Sequence, residues 1–292
     1  MNSVFLESLK NNNFILFPYR NFENGIDKNG NHFNNISELI RKFKSIKQLK
    51  EEFSYTTWKY CGMDNEDNFK SNLKLTDENW YYRNNEVKYT LNSFGYRTKE
   101  FDEIDWKNSI VIFGCSSVQG IGVDDSHTIS SFLEKEINLP IINMGISGSS
   151  NEFHIHNMSV LLKRYPKPKA IIFKQTSLLR FPFYHWNLVE HRGTWNVKKQ
   201  ELESNNSNII IRNVIANNII ENMLDSNTTY INFSTEGSSS ELLKQFLPNN
   251  NIHFFKYESL GDEYARDLSH TGIDVNRSIA KLLSEILKSK LN

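Results

Sequence analysis

The pattern of apolar and polar positions changes character near residue 108. From Ser109 onward, short runs rich in Ile, Val and Phe recur: Ser109–Phe113, Ile141–Asn143, Ala170–Lys174, Thr229–Phe233 and Ile252–Phe255. Each is nearly continuous in apolar character, which suits strands buried on both faces of a parallel sheet. Between them lie helical patterns at Thr128–Ile137, Glu152–Arg164, Ile209–Leu224 and Ser239–Phe246. A closing segment, Val275–Leu291, carries an apolar stripe of Ile279, Leu282, Leu283, Ile286 and Leu287. Strand and helix alternating five times predict an α/β fold, a doubly wound, flavodoxin-like parallel sheet of five strands with helices on both faces. Phe181–Asn208, with two Trp and two His, reads as a long loop.

Residues 1–107 follow another grammar. Ile36, Leu39, Ile40, Phe43, Ile46 and Leu49 recur at helical spacing and predict one helix from Ile36 to about Phe53, and Val87–Leu91 alternates as a strand does. One helix and a short strand cannot bury Trp58, Trp80, Tyr81, Tyr82 and Phe94 alone. The expectation is an N-terminal extension (1–107) that packs on the domain formed by 108–292 and helps shape its ligand cleft.

At 292 residues a chain buries about 75% of its unfolded surface, so a large core needs no staples. Lys plus Arg equals Asp plus Glu, 34 each, which removes the basic excess that binds nucleic acid or an anionic membrane. No apolar run approaches the roughly 18 residues of a membrane span. Cys61 and Cys115 cannot form a disulfide framework, and no Cys/His cluster has zinc spacing, so neither a metal nor a cofactor is expected. The N-terminus, Met1–Lys10, lacks the layout of a secretory signal, which predicts a cytoplasmic location. The 38 Asn residues read as the codon bias of an AT-rich genome and are assigned no role.

Ligands of a doubly wound sheet bind beyond the carboxyl ends of its strands, so the residues after each run are the candidates. The first run leads into Gly114-Cys-Ser-Ser-Val-Gln-Gly-Ile-Gly122, a Gly-rich turn whose first helical turn presents Ser116 and Ser117 beside free backbone N–H groups that stabilise an anion. The second leads into Asn143-Met-Gly145, whose glycine lets a backbone N–H approach a substrate oxygen. The third leads into Gln175-Thr-Ser177. Before the last helix stands Asp267-Leu-Ser-His270, a carboxylate spaced to orient an imidazole. Alone, the Gly-rich turn also fits a phosphate cradle in a nucleotide-binding fold, and an Asp-x-x-His pair is often a solvated cap. His154 and His156, at i and i+2 of one helix, point apart and do not share a metal.

Taken together and in this order, the segments over 109–292 resemble the SGNH hydrolase superfamily, the GDSL esterases and lipases. Phe113-Gly-Cys-Ser116 stands where that family has Gly-Asp-Ser, as a Gly-Cys-Ser variant. Asn143-Met-Gly145 matches its second block, and Asp267-Leu-Ser-His270-Thr-Gly272 its closing block. Tyr89-Thr-Leu-Asn-Ser-Phe-Gly-Tyr-Arg97 is similar to a segment that precedes the nucleophile in some microbial and viral members. The resemblance implies a triad of Ser116, His270 and Asp267 that hydrolyses an acyl ester, an O-acetyl group on a carbohydrate foremost. The oxyanion would be held by the N–H groups of Ser116 and Gly145. The third-block Asn is missing, and Thr176 or Gln175 stands in its place. Arg180, Tyr184 and Trp186 are the candidate substrate contacts. The partner is then a small-molecule or glycan ester. The competing expectation is a non-catalytic glycan-binding or structural module on the same fold, in a virion or at a cell surface.

Overall fold

The computed structural model describes residues 22–27, 29–35, 54–185, 188–193, 206–225, 228–236, 245, 252–256, 259–261 and 263–291. The helices expected at Ile36–Phe53 and Ser239–Phe246 lie outside them, apart from residue 245.

The N-terminal region is built on a sheet of which the hydrophobic pattern announced one strand, at Val87–Leu91. β1 (Phe22–Ile26), β2 (His32–Asn35), β3 (Thr56–Cys61) and β4 (Tyr89–Leu91) form an antiparallel sheet in the order β2-β1-β3-β4. β1 and β2 are rich in Asn and Gly, residues depleted in strands, so their sequences carry no alternating signature. A helix, α1 (Glu66–Leu75), follows β3 and is capped by Asn65, whose side chain accepts the Asn68 N–H at 2.9 Å.

The second region has the expected fold. β5 (Ile110–Gly114), β6 (Ile141–Gly145) and β7 (Ala170–Lys174) are buried at every position, and β10 (Thr229–Ser234) and β11 (Ile252–Phe254) complete a parallel five-stranded sheet. Its order is β11-β10-β7-β5-β6. Between β5 and β6 come the short helix α2 (Ser116–Gln119) and α3 (Ile129–Ile137). α4 (Asn151–Arg164) links β6 to β7, α5 (Asn206–Met223) precedes β10, and α6 (Ile273–Leu291) closes the chain. Right-handed crossovers in this strand order put α3 and α6 on one face, where they pack together, and α4 and α5 on the other. The order reverses between β5 and β7, where a doubly wound sheet opens its ligand crevice.

Phe181–Asn208 is not simply a loop. It begins with an antiparallel hairpin of β8 (Phe181–His185) and β9 (Leu188–Arg192). No Asn-Gly or Gly-x pair announces that hairpin in the sequence.

The two regions share one hydrophobic core. Trp58, Tyr82, Tyr89, Leu91, Phe94, Tyr96, Phe101 and Trp106 belong to the same cluster of buried residues as the strands β5 to β7. Trp106 stacks on Tyr165 at 4.5 Å between centroids, and Asn157 of α4 donates to the Tyr96 hydroxyl at 2.7 Å. A chain beginning at residue 105 would keep Trp106 on Tyr165 but lose Tyr96 and the other N-terminal members of the cluster, exposing the apolar surface that they cover. It should be insoluble or melt far below the full-length protein in a thermal scan. A stable 105–292 fragment would contradict a shared core.

Candidate active site

At the carboxyl end of β5 the chain passes Gly114 and enters α2, whose first residue is Ser116, 7% exposed. The turn is held from its neighbours. Gly145, ending β6, lies so close that a Cβ on it would sit 2.4 Å from the Gln119 nitrogen, so no larger residue fits. Ile146 donates to the Gly114 carbonyl at 2.9 Å, and the Gln119 side chain accepts the Ser147 N–H at 2.7 Å. The Ser116 carbonyl in turn accepts the N–H groups of Gly120 and Ile121.

The segment leaving α2 carries the second half of the site. Gly122 has φ +78°, and a Cβ there would meet Ala265 at 2.6 Å. Its carbonyl accepts the Arg266 N–H at 2.9 Å. Asp267 and His270 follow. The His270 Nδ1 lies 2.5 Å from Asp267 Oδ2, and Asp267 Oδ1 accepts the N–H groups of Ser269 and His270 at 3.1 and 3.0 Å. The Asp267 side chain is fully buried, whereas the His270 side chain is 18% exposed. Between them Leu268 takes φ +53°, an uncommon conformation for a residue with a side chain. The structure thus pairs Asp267 with His270 and docks their loop on the end of the Ser116 turn. Ser116 Oγ itself makes no hydrogen bond among the described residues.

The N-terminal region anchors this arrangement at four points. Asp64 receives Arg266 Nε and Nη2, each at 2.8 Å, in an ion pair whose side chains are 6% and 1% exposed. The Asn72 side chain of α1 donates to the Arg266 carbonyl at 2.9 Å. The Tyr89 hydroxyl donates to Asp64 and accepts the Gly122 N–H at 2.7 Å. Arg97, from the segment similar to the pre-nucleophile motif, donates to the carbonyls of Gln119, Gly120 and Val123 and pairs with Asp125. Of these anchors, Tyr89 and Arg97 lie in the segment that the sequence points to, whereas Asp64, Asn72 and Arg266 carry no sequence signal. Asp64 and Arg266 are 202 positions apart, and no local pattern links them.

The oxyanion donors expected from the sequence fare differently. Gln175 donates to Asn217 and Asn232 at 2.7 and 2.8 Å, which uses both hydrogens of its amide, and accepts from Asn151 at 2.9 Å. It is a buried strut between β7, α4, α5 and β10, and the expectation that it donates to an oxyanion is corrected on that ground. Thr176 is 1% exposed, and its hydroxyl donates to Asn151 Oδ1 at 3.2 Å. The Gly145 N–H donates to the Asn143 side chain at 2.9 Å. The abundant Asn therefore has a structural use that composition did not suggest: Asn151, Asn213, Asn217 and Asn232 join Gln175 in one buried amide network.

Other candidates fall into place around this core. Neither cysteine is in a disulfide, and both are buried. Burial alone would raise the Cys115 thiol, but the charges of Lys174 and then Arg180 bring it down to about 6. Arg180 thus lies within electrostatic reach of the Ser116 turn. Tyr184 lies on β8, with its side chain outside the described residues, as is Trp186. His154 is fully buried, with Nε2 2.6 Å from Ser149 Oγ, and burial lowers it to about 3; His156 is exposed. Among the described residues no group of three or more His, Cys, Asp or Glu is placed to hold a metal ion, and no helix is long and apolar enough to cross a membrane.

No protein-family model matches the chain, and neither does any curated protein. Solved structures give distant likenesses. A carbohydrate acetylesterase family member from Sinorhizobium meliloti superposes with a TM-score of 0.43 at 13% identity, over 63% of this chain and 99% of the other. An aryl esterase of M. smegmatis gives 0.40 at 13%, over 62% and 99%. An acetyl xylan esterase of the rumen bacterium Butyrivibrio proteoclasticus gives 0.40 at 14%, over 64% and 65%.

Burial alone would raise the Asp267 carboxyl, but hydrogen bonds from the His270 ring, the charge of that ring and the two backbone N–H groups outweigh it and hold the carboxyl below its usual range. A depressed carboxylate stabilises the fold above its unfolded pKa of about 4 and loses that contribution as pH falls through the folded value. Urea unfolding between pH 7 and pH 2 should therefore show a loss of stability below pH 4 that is visibly smaller in Asp267→Asn. Parallel curves for the two proteins would contradict the assignment.

Proposed function

We propose that the chain is a serine ester hydrolase that removes an acyl group, O-acetyl foremost, from a carbohydrate. The observation that carries the esterase reading is the Asp267–His270 pair, with a buried carboxylate on Nδ1 and a partly exposed ring, on a loop bonded to the end of the Ser116 turn. In this reading Ser116 Oγ attacks the ester carbonyl carbon while His270 Nε2 takes its proton. Asp267 stabilises the imidazolium and fixes the tautomer. The proton then passes to the leaving alcohol oxygen as the C–O bond breaks, and water repeats the sequence to release the acid and free Ser116. The carbohydrate half of the reading comes from the resemblance to SGNH esterases.

The oxyanion would be met by the Ser116 N–H and by the Gly145 N–H, which exchanges a neutral amide oxygen of Asn143 for a charged one. Hydrogen bonds to ionised acceptors are roughly twice as strong as neutral ones, so the exchange is favourable in the transition state. With Gln175 engaged elsewhere, the hole lacks a side-chain donor. A missing donor typically costs about 100- to 1000-fold in turnover, so a slow enzyme is expected.

The same observation favours a second reading, a glycan-binding module without catalysis, because Gly145, Thr176 and Gln175 are already bonded to protein. A fluorophosphonate probe with p-nitrophenyl acyl esters and acetylated glycans separates the two. Hydrolysis should fall at least about 1000-fold in Ser116→Ala, and labelling should map to Ser116. Equal turnover by both proteins would rule out the triad. Absence of labelling would favour the binding module.

A further inference from the structure

β3, α1 and residues 82–87, together with Arg266, line a cleft of about 290 Å³. Its walls include Lys59, Tyr60, Phe69, Tyr82, Arg83 and Arg266. This volume is at the lower end of small-ligand sites, which combine apolar and aromatic walls with a few polar groups.

Two buried side chains on these walls have hydrogen-bonding capacity that no described residue takes up. Tyr82 is 2% exposed, and its hydroxyl has no partner. Burial, and then the charge of Glu263, push that phenol far above its ordinary value, so it remains a donor at physiological pH. Arg266 is 5% exposed; Nε and Nη2 serve Asp64 and the Lys59 carbonyl, and Nη1 bonds to none of the described residues. The Tyr82 hydroxyl is thus the buried group on these walls left without a partner among the described residues, and such groups are nearly always satisfied by a bound molecule or water.

Charge and shape narrow the ligand. Neither Lys59 nor Arg83 has a carboxylate at ion-pair distance among the described residues, and the Arg83 N–H groups go to the carbonyls of Leu73, Thr76 and Asp77. Glu86, the carboxylate on the lining, is paired with Lys88 at 3.5 Å. With Arg266 balanced by Asp64 and Glu86 by Lys88, the lining keeps the positive charges of Lys59 and Arg83, Lys59 lying within electrostatic reach of Glu66. Tyr60 and Phe69 lie 4.8 and 5.3 Å, centroid to guanidinium carbon, from Arg266 and stay half-buried, leaving ring surface beside the cations.

We propose that this cleft is a subsite for a carboxylate-bearing sugar, its carboxylate held by Lys59 and the Nη1 edge of Arg266, its ring laid against Tyr60, and a hydroxyl met by Tyr82. The inference rests on the esterase reading only in taking that sugar to belong to the acylated glycan. Arg266 directly precedes Asp267 in the chain, which ties one wall of the cleft to the loop that carries the proposed catalytic pair.

The test is titration calorimetry of the full chain in 0.15 M NaCl with acidic oligosaccharides (galacturonate, mannuronate, guluronate and glucuronate-containing trimers or tetramers) and with xylotriose and mannotriose as neutral counterparts. At least one acidic member should bind saturably, at least about tenfold more weakly to Lys59→Ala and Tyr60→Ala and several-fold more weakly to Tyr82→Phe, with no displacement by the neutral sugars. Lys59 is exposed, so its variant keeps the fold and the test remains decisive if an aromatic variant does not. No acidic binding, binding indifferent to Lys59→Ala, or equal binding of the neutral sugars would overturn the proposal. Hydrolysis of p-nitrophenyl acetate by the same preparation scores the esterase reading separately. Binding without hydrolysis defeats that reading alone, and hydrolysis without binding defeats this one.

Discussion

The buried ion pair between Asp64 and Arg266 is the constraint on which the rest of the site depends. It joins a residue from the first quarter of the chain to the residue directly before Asp267, at 2.8 Å through two parallel bonds. Removing one member of such a pair leaves an uncompensated buried charge and costs about 3–5 kcal/mol, a large share of the roughly 5–15 kcal/mol that holds a domain folded. The pair does more than bind two regions. Asp64 also accepts from Tyr89, whose oxygen takes the Gly122 N–H, while the Arg266 N–H goes to the Gly122 carbonyl. Both backbone groups of Gly122 are thus fixed by the network that positions the Asp267–His270 loop. The proposed nucleophile turn and the proposed acid–base loop are registered against each other through a sheet that is not part of the α/β domain.

The carboxyl ends of the strands show a second constraint, satisfaction of buried amides. Gln175, Asn151, Asn213, Asn217 and Asn232 bridge β7, α4, α5 and β10 through bonds of 2.7 to 3.2 Å. A closed polar network of this kind specifies one packing of helices on the sheet, because any slip strands several buried donors at once. In the proposed esterase it would also leave Gln175 no amide hydrogen to offer an oxyanion, so that packing of the strand ends and side-chain donors for the chemistry would compete.

What was legible in the sequence follows from how local each signal is. The runs at Ile110–Gly114 and Ala170–Lys174 are buried on both faces, so their continuous apolar character identified strands and, with the intervening helices, the parallel sheet. Asp267 and His270 are three residues apart and bond to each other, so their spacing was informative. β1 and β2 escaped notice because their Asn- and Gly-rich sequences pair through backbone and turn geometry, and α1 because Phe69, Leu73 and Leu75 are too few to mark a face. Asp64, Asn72 and Arg266 are ordinary charged and polar residues until the fold brings them together. Gln175 looked like an available donor because the sequence does not show that Asn217 and Asn232 lie beneath it. Single residues of the right type were visible; partners distant along the chain were not.

The central claim is that the N-terminal sheet, through Asp64 and Arg266, holds Asp267 against His270. The direct measurement is NMR of the His270 ring in the full-length protein and in Asp64→Asn, observing the Nδ1 proton that bridges to Asp267. The wild-type protein should show this proton strongly downfield and slow to exchange with water, and Asp64→Asn, if still folded by its amide spectrum, should lose it or move it toward the position of an unpaired imidazole. An unchanged resonance in a folded Asp64→Asn protein would contradict the claim, because the pair would then be held by its own loop and the ion pair would serve stability alone.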